Sequence, residues 1–352
     1  MTPRIAVIAG DGIGPEVIAQ ALRVLDYVRA RGVDVDVWQL PLGAELYLKD
    51  GTTFPRELRD EVQRTCRAVL LGAVGDPRVP SGEHAHDILL GMRHSFDLYA
   101  NVRPVQALSD ALVPLRHKTK EDVNLVIYRE NTEGQYVGAG RERGRGQPEE
   151  ITMSREVHTR RGVERLLRAA FEFAHQTKRP LVMTDKSNAI PAQGIWRRVF
   201  AELAREYADV EAEQLYVDAL AARLIQAPER YGVIAANNLF GDILADQCAA
   251  LAGGLGLAPS ANLHPAVAGH IGLFEPVHGS APDIAGRGVA NPLGAIRSLG
   301  MLLAHLGHSA EAERIELASA EVLRLGRCTA DVGGALGTEQ AGTAFLEVLA
   351  QL

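Results

Sequence analysis

Apolar residues occur along this chain in short unbroken runs, separated by longer segments that repeat with the period of a helix. Residues 4–9 hold Ile5, Val7 and Ile8 and predict a buried strand. Gly10-Asp11-Gly12-Ile13-Gly14 predicts a flexible turn, and Pro15 suits the first turn of a helix. Val17, Ile18, Ala21, Leu22, Leu25 and Val28 give that helix one apolar face to about Arg31, with Gly32 as its stop. Further strands are predicted at 68–71, 123–127, 180–183 and 231–235, and an amphipathic helix at 161–175. From Asn291 onward almost everything is helix-patterned. Alternation of strand and helix predicts an α/β sheet with helical cover. Residues 138–147 place Arg141, Arg143 and Arg145 among glycines. The segment is brief and runs into Glu149 and Glu150, so it predicts a mobile loop or hairpin tip rather than an RNA-binding Arg-Gly tract.

Length and composition narrow the function classes. A chain of 352 residues suggests two domains. With 47% hydrophobic and 23% charged residues it has the composition of an ordinary soluble protein, and a net charge of −7 gives no basic footprint for nucleic acid. Cys66, Cys248 and Cys328 are odd in number and far apart, which fits neither a zinc site nor a disulfide framework. The amino terminus enters a strand directly, with no signal-peptide pattern, and no apolar run is long enough to span a membrane. A cytoplasmic location is the default expectation.

The chemistry concentrates in a few places. Asp242 and Asp246 stand four residues apart in a helical run, which puts their Cβ atoms roughly 5–6 Å apart on one face. Ile243 and Leu244 mark the segment as partly buried, and a buried pair of like charges calls for a cation such as magnesium or manganese. An exposed acidic pair favoured by the helix dipole is the alternative. Asp218 ends the apolar stretch 215–218 and is a third candidate carboxylate. Lys186 follows the strand at 181–183, where burial can lower its pKa and make it a base; a solvated lysine is the alternative. Arg103 and Arg129 end strands, where a guanidinium can grip a carboxylate with two bonds, and Tyr136 follows shortly after. The glycines at 10, 12 and 14 invite a dinucleotide-loop assignment, but Gly-x-Gly-x-x-Gly needs its third glycine one position later. Residues 274–292 are rich in glycine and small residues that let a ligand lie against the backbone, and Pro292 can open a helix whose amino end attracts phosphate.

Taken together and in order, these motifs resemble the β-decarboxylating dehydrogenases of (R)-2-hydroxy acids, the family of isopropylmalate, isocitrate, homoisocitrate and tartrate/D-malate dehydrogenases. The resemblance runs from Gly10-Asp11-Gly12-Ile13-Gly14-Pro15-Glu16-Val17 to the last helices. It implies a two-domain α/β subunit that is not a Rossmann fold, with a discontinuous first, cofactor-binding domain at 1–99 and 250–352 and a second domain at 100–249. It implies a homodimer with shared active sites, Lys186 and Asp218 being donated across the interface and 138–147 lying in an intersubunit arm. Asp218, Asp242 and Asp246 match the ligands of Mg²⁺ or Mn²⁺, a metal that lowers the pKa of the substrate hydroxyl. Lys186 matches the base and Tyr136 the acid that protonates carbon after CO₂ leaves. Arg93, Arg103 and Arg129 match the arginines that bind the two carboxylates, with Asp218 also facing the substrate. Glu275, His278, Gly279, Ser280, Ala281, Asp283, Ile284 and Asn291 match the cofactor site. NADP-dependent relatives place Lys-Tyr where this chain has Asp283-Ile284, and a carboxylate repels a 2′-phosphate, so NAD is the expected cofactor.

The expected partner is a small hydroxy-dicarboxylate. Leu89 and Leu90 match the leucines that meet the isopropyl group in isopropylmalate enzymes, where isocitrate enzymes have a serine. His86 departs from the pattern, since many isopropylmalate enzymes have Glu there. Asn131 to Tyr136 also departs, and is more similar to the homoisocitrate and tartrate branches. 3-Isopropylmalate, the acid of leucine biosynthesis, is the expected substrate, followed by D-malate or tartrate and then homoisocitrate. A non-catalytic regulatory subunit is the contrasting expectation, but the metal, base and acid positions are all filled.

Overall fold

The computed structural model describes residues 2–138 and 140–352. Its strands are β1 (Arg4–Gly10), β2 (Asp36–Gln39), β3 (Cys66–Ala73), β4 (Ala100–Gln106), β5 (Asn124–Glu130), β6 (Gly140–Arg143), β7 (Ile151–Ser154), β8 (Leu181–Asp185), β9 (Ala212–Tyr216), β10 (Val233–Ala236), β11 (Pro259–Leu263) and β12 (Gly272–Pro276). The helices are α1 (Gly14–Arg29), α2 (Ala44–Asp50), α3 (Arg56–Thr65), α4 (Glu83–Ser95), α5 (Arg160–Thr177), α6 (Gly194–Glu206), α7 (Val217–Gln226), α8 (Asn238–Leu251), α9 (Leu293–His305), α10 (Ser309–Arg324) and α11 (Thr338–Leu349). Among the described residues, ten strands form one sheet in the order β2-β1-β3-β12-β11-β4-β5-β10-β8-β9. The pairs from β2 to β12 are parallel, as are those from β5 to β9. Between these blocks, β12–β11, β11–β4 and β4–β5 are antiparallel.

The expected strands and helices are present, and burial explains the sequence pattern. In β1, Ile5 and Val7 pack on one face with α1, α9 and α11, while Ala6 and Ile8 pack on the other with β3 and α4. A parallel strand covered on both faces reads as an unbroken apolar run, and each large side chain so buried contributes about 1.5–3 kcal/mol. On α1, Val24 is fully buried and Leu22 only partly, because the face that meets α9 is slightly rotated from the one first expected. The other parallel block has its own two apolar clusters. One gathers Phe171, Trp196 and Met183 around α5 and α6, and the other Ile127, Leu224 and Leu244 around α7 and α8. The segment predicted as a loop or hairpin tip lies in the β6–β7 hairpin, whose described residues are all exposed; Ala139 falls outside the described residues.

Candidate active site

The two parallel blocks meet at β4 and β11, a topological switch point of the kind at which open α/β sheets bind ligands. A cleft of about 410 Å³ opens there. Arg103 enters it from β4, Arg129 from the end of β5 and Glu275 from β12, while Leu89, Leu90 and Arg93 come from α4. Tyr136, His278 and Gly279 complete the lining from loops, and Asp242 faces it from α8. Seven of the predicted catalytic, substrate and metal residues therefore converge, together with three of the predicted cofactor residues.

Helix α8 is fixed at its start by Asn237, whose side chain accepts a hydrogen bond from the Phe240 N–H at 2.9 Å. Gly241 lets the helix lie against β5, since a Cβ there would stand 2.7 Å from Arg129 Cγ. The guanidinium of Arg129 then donates from Nη1 to Asp242 Oδ1 at 2.5 Å, and from Nε and Nη2 to Asn238 Oδ1 at 3.1 and 2.7 Å. Arg103 reaches Asp242 at 3.1 Å and Asp246 at 3.4 Å. Asn238 was not singled out from the sequence. Its signal was the same four-residue spacing, which puts Asn238, Asp242 and Asp246 on one face.

The cleft concentrates charge of both signs, with Arg93, Arg103 and Arg129 set against Glu275, Asp242 and Asp246. Burial, reinforced by Arg103 and Arg93, pushes the Arg129 guanidinium down to about 9, so it remains charged at neutral pH. Burial also lowers Arg103, against the pull of Asp242. The Arg93 Nε, in a side chain only 7% exposed, has no partner. Three buried arginines, with the charge of Arg103 and Arg129 disfavoured and Arg93 holding a spare donor, fit a ligand with more than one carboxylate. Burial raises Tyr136 above its ordinary value, and Asp242 adds to the rise, so the hydroxyl keeps its proton at neutral pH. That hydroxyl donates to Asp242 Oδ2 at 3.3 Å.

Asp246 is raised by burial, opposed by Arg103. Asp242 and Asp246 are hard oxygen donors on one helical face, and they fit a divalent cation in chemistry. Two carboxylates do not complete a metal shell, and among the described residues no three His, Cys, Asp or Glu side chains of the chain form a metal-binding group. Asp218 and Lys186 are instead joined to each other at 2.7 Å outside the cleft lining. The hydrogen bond from Lys186 holds the Asp218 carboxyl below the usual carboxylate range.

The predicted cofactor segment is the loop between β12 and α9. Burial pushes the His278 imidazole down; the neutral ring bonds the Gly279 carbonyl through Nδ1 at 3.0 Å, and Nε2 is buried without a partner. Asp283 is exposed and Ile284 partly so. Ser280 meets the amino-terminal turn, its carbonyl accepting from the Ile13 N–H at 2.9 Å, and Ala281 adopts a left-handed backbone with φ 40°. Asn291 accepts from the Leu293 N–H at 3.0 Å and donates to Asp331 at 3.0 Å, so its amide braces the start of α9. The unpaired His278 Nε2 and the exposed Asp283 carboxylate fit a ligand that offers both a donor and ribose hydroxyls.

The turn that invited a dinucleotide assignment is filled by the chain itself. Gly12 has φ +58°, and a Cβ on it would lie 2.0 Å from the Ser280 carbonyl oxygen. Asp11 accepts from the Ala44 N–H at 2.6 Å and the Gly75 N–H at 2.8 Å, and pairs with the fully buried His84 at 2.9 Å. Its carboxylate ties three loops together.

An arginine-and-carboxylate cleft at the switch point of a doubly covered sheet is the architecture of an enzyme for small acids. The chain matches the isocitrate/isopropylmalate dehydrogenase family over residues 4–347 and belongs to that family, which makes it a decarboxylating dehydrogenase. Among its relatives, a 3-isopropylmalate dehydrogenase of Thermobifida fusca is 42% identical over 99% of this chain and 98% of its own. One of Frankia casuarinae is 44% identical over 91% and 92%. Among solved structures, an isocitrate dehydrogenase from Methylococcus capsulatus superposes with a TM-score of 0.89 at 35% identity, covering 99% of each chain. A beta-decarboxylating dehydrogenase from Thermococcus kodakarensis gives 0.80 at 36% identity, covering 99% of this chain and 96% of that one. Among the described residues no helix is long and apolar enough to cross a membrane.

Proposed function

We propose that the protein is an NAD-dependent, Mg²⁺- or Mn²⁺-requiring dehydrogenase that oxidises and decarboxylates 3-isopropylmalate, the step of leucine biosynthesis, as a homodimer with shared active sites. The observation that carries the substrate choice is the lining of the cleft. Leu89 and Leu90 stand on the same helix as Arg93, so an apolar substituent and a carboxylate are met from one element. Identity of 42–44% to relatives named 3-isopropylmalate dehydrogenase supports the same choice.

In this reading Arg93, Arg103 and Arg129 hold the two carboxylates, and Asp242 and Asp246 hold the metal with Asp218 of a second copy. A metal bound there would supply the charge that lowers the pKa of the substrate hydroxyl, and NAD held at the cofactor loop would supply the hydride acceptor. Lys186 of the second copy takes the hydroxyl proton. Loss of CO₂ from the β-keto acid leaves a carbon that Tyr136, kept protonated by burial and by Asp242, supplies with a proton. Glu275, His278, Gly279, Ser280, Ala281, Asp283, Ile284 and Asn291 form the NAD side, with Asp283 facing the adenosine ribose. The chain divides into units 1–99 with 250–352 and 100–249, a division supported by the separate apolar clusters of the two parallel blocks.

A dimer is supported by what the second block leaves open. Ile225 on α7 is 52% exposed and Ile243 on α8 is 57% exposed, while Ile151, Met153 and Val157 are exposed on or beside the hairpin. Covering these would also bring Lys186 and Asp218 of one copy toward the incomplete carboxylate pair of the other. The test is NAD reduction by the purified protein with Mn²⁺ on 3-isopropylmalate, D-malate, tartrate, isocitrate and homoisocitrate. The expected result is the highest kcat/KM on 3-isopropylmalate. A higher value on D-malate would move the assignment to that branch, and no turnover on any acid would point to a regulatory subunit.

A further inference from the structure

Beneath the cleft, side chains from both parallel blocks are joined in one buried chain of hydrogen bonds. Asn101 on β4 and Asn262 on β11 are direct cross-strand partners at the switch point, and both are 0% exposed. Asn262 Oδ1 accepts from Asn101 Nδ2 at 3.1 Å and from Asn131 Nδ2 at 2.9 Å. Its Nδ2 donates to the Leu273 carbonyl at 3.2 Å and to Glu275 Oε1 at 2.9 Å. An amide has two donors and two acceptor positions, and all four of this one are used. From this hub the bonds run outward in two directions. Glu275 Oε1 accepts from Arg93 Nη2 at 2.9 Å, and Asn101 Oδ1 accepts from Arg103 Nε at 2.7 Å. Arg93, Arg103 and Glu275 are themselves 6–8% exposed.

We infer that Asn101 and Asn262 are positioning residues for the acid substrate, a relay that fixes the guanidinium planes of Arg93 and Arg103 relative to each other across the two blocks. The inference rests on the reading of those arginines as carboxylate ligands. A guanidinium recognises a carboxylate through a rigid planar fork, so its orientation decides whether two bonds form or one. Arg103 is held at Nε, which leaves its two Nη atoms to face Asp242, Asp246 and the cleft. Arg93 is held at Nη2, which leaves its unpartnered Nε free. An amide suits the hub because it is neutral and offers donors and acceptors at once. An aspartate in its place would set a second carboxylate against Glu275 and lose both donors, and an aliphatic residue would remove all four hydrogen bonds of the hub. Asn131 completes the hub by bonding the Leu98 carbonyl at 2.9 Å, which ties the relay to the chain just before β4.

Two substitutions and one control test this. Asn101→Ser shortens the side chain that holds Arg103 Nε, and Asn262→Asp keeps the shape of the hub while removing its donors. In both, KM for the hydroxy acid should rise by about tenfold or more. In Asn101→Ser the dissociation constant for NAD should stay within about twofold, because that variant does not touch Glu275. Arg103→Lys tests the parent reading by the same assay. A rise in acid KM for Arg103→Lys with none in folded Asn101→Ser overturns the relay and leaves the parent reading standing. No rise for Arg103→Lys overturns both. Equal weakening of acid and NAD in Asn101→Ser also overturns the relay, since that is the behaviour of a general packing defect. If the variants do not fold, the native protein decides: the Arg103 Nε–H signal in nitrogen-detected NMR should exchange slowly with solvent, and fast exchange overturns the proposal.

Discussion

Arg129 shows how much one side chain can do when the residues around it fix its direction. Its Nε and Nη2 grip Asn238, its Nη1 reaches Asp242, and its ring neighbour is Tyr136 at 5.6 Å. A lysine would carry the same charge but offers a point rather than a fork, and it cannot hold Asn238 and Asp242 at once. Arg129→Lys should therefore raise KM for the hydroxy acid by about tenfold to a hundredfold, the equivalent of losing one or two charge-assisted hydrogen bonds of about 1.5–3 kcal/mol. Urea denaturation should give a folded protein made less stable by the bonds lost to Asn238 and Asp242, and an unchanged KM in that folded protein would remove Arg129 from the acid site. The individual residues were legible to different degrees. Asp242, Asp246, Arg103 and Arg129 announce themselves by charge at the end of an apolar run or on one helical face. Asn101, Asn131 and Asn262 do not, because a neutral amide in a strand or loop carries no pattern, and its importance arises only when two strands and a loop bring the amides together.

At the scale of the element, the amino-terminal turn is the clearest case of sequence and structure informing each other. The glycine spacing was wrong for a dinucleotide loop, and the physical reason is that the turn is occupied by the loop after β12. Gly12 needs its left-handed φ of +58°, and it also needs to lack a Cβ, because that atom would collide with the Ser280 carbonyl oxygen. Gly12→Ala must shift either the turn or the 279–291 loop. We expect a loss of about 1–3 kcal/mol of stability in urea denaturation and a weaker affinity for NAD measured by calorimetry. Unchanged stability together with unchanged NAD affinity would show the two loops to be independent. The strands and helices themselves were legible because burial on both sheet faces writes unbroken apolar runs and burial on one helical face writes a 3.6-residue rhythm. The order of the strands was not, since β4 and β11 pair across about 160 residues of sequence and nothing local records that pairing.

At the scale of the whole molecule, a single copy holds its chemistry in two separate places. Tyr136, Asp242 and the arginines line one cleft, while Lys186 and Asp218 are paired with each other outside it. Two arrangements can bring them together: rearrangement within one chain, or a two-fold dimer in which each copy lends Lys186 and Asp218 to the other. Complementation separates these. Lys186→Ala and Asp242→Asn should each abolish turnover as pure homodimers. Co-expressed in equal amounts, they form mixed dimers in half of the assemblies if pairing is random. In a mixed dimer with shared sites, one site receives both lesions and the other receives neither, because the intact Asp242 of one copy meets the intact Lys186 of the other. About a quarter of the wild-type number of sites should then be active, with wild-type KM values at those sites. If each chain built its own site alone, every site would carry one lesion and the mixture would be as inactive as its parents. The recovered activity therefore counts the chains that contribute to one site, whichever hydroxy acid is turned over there.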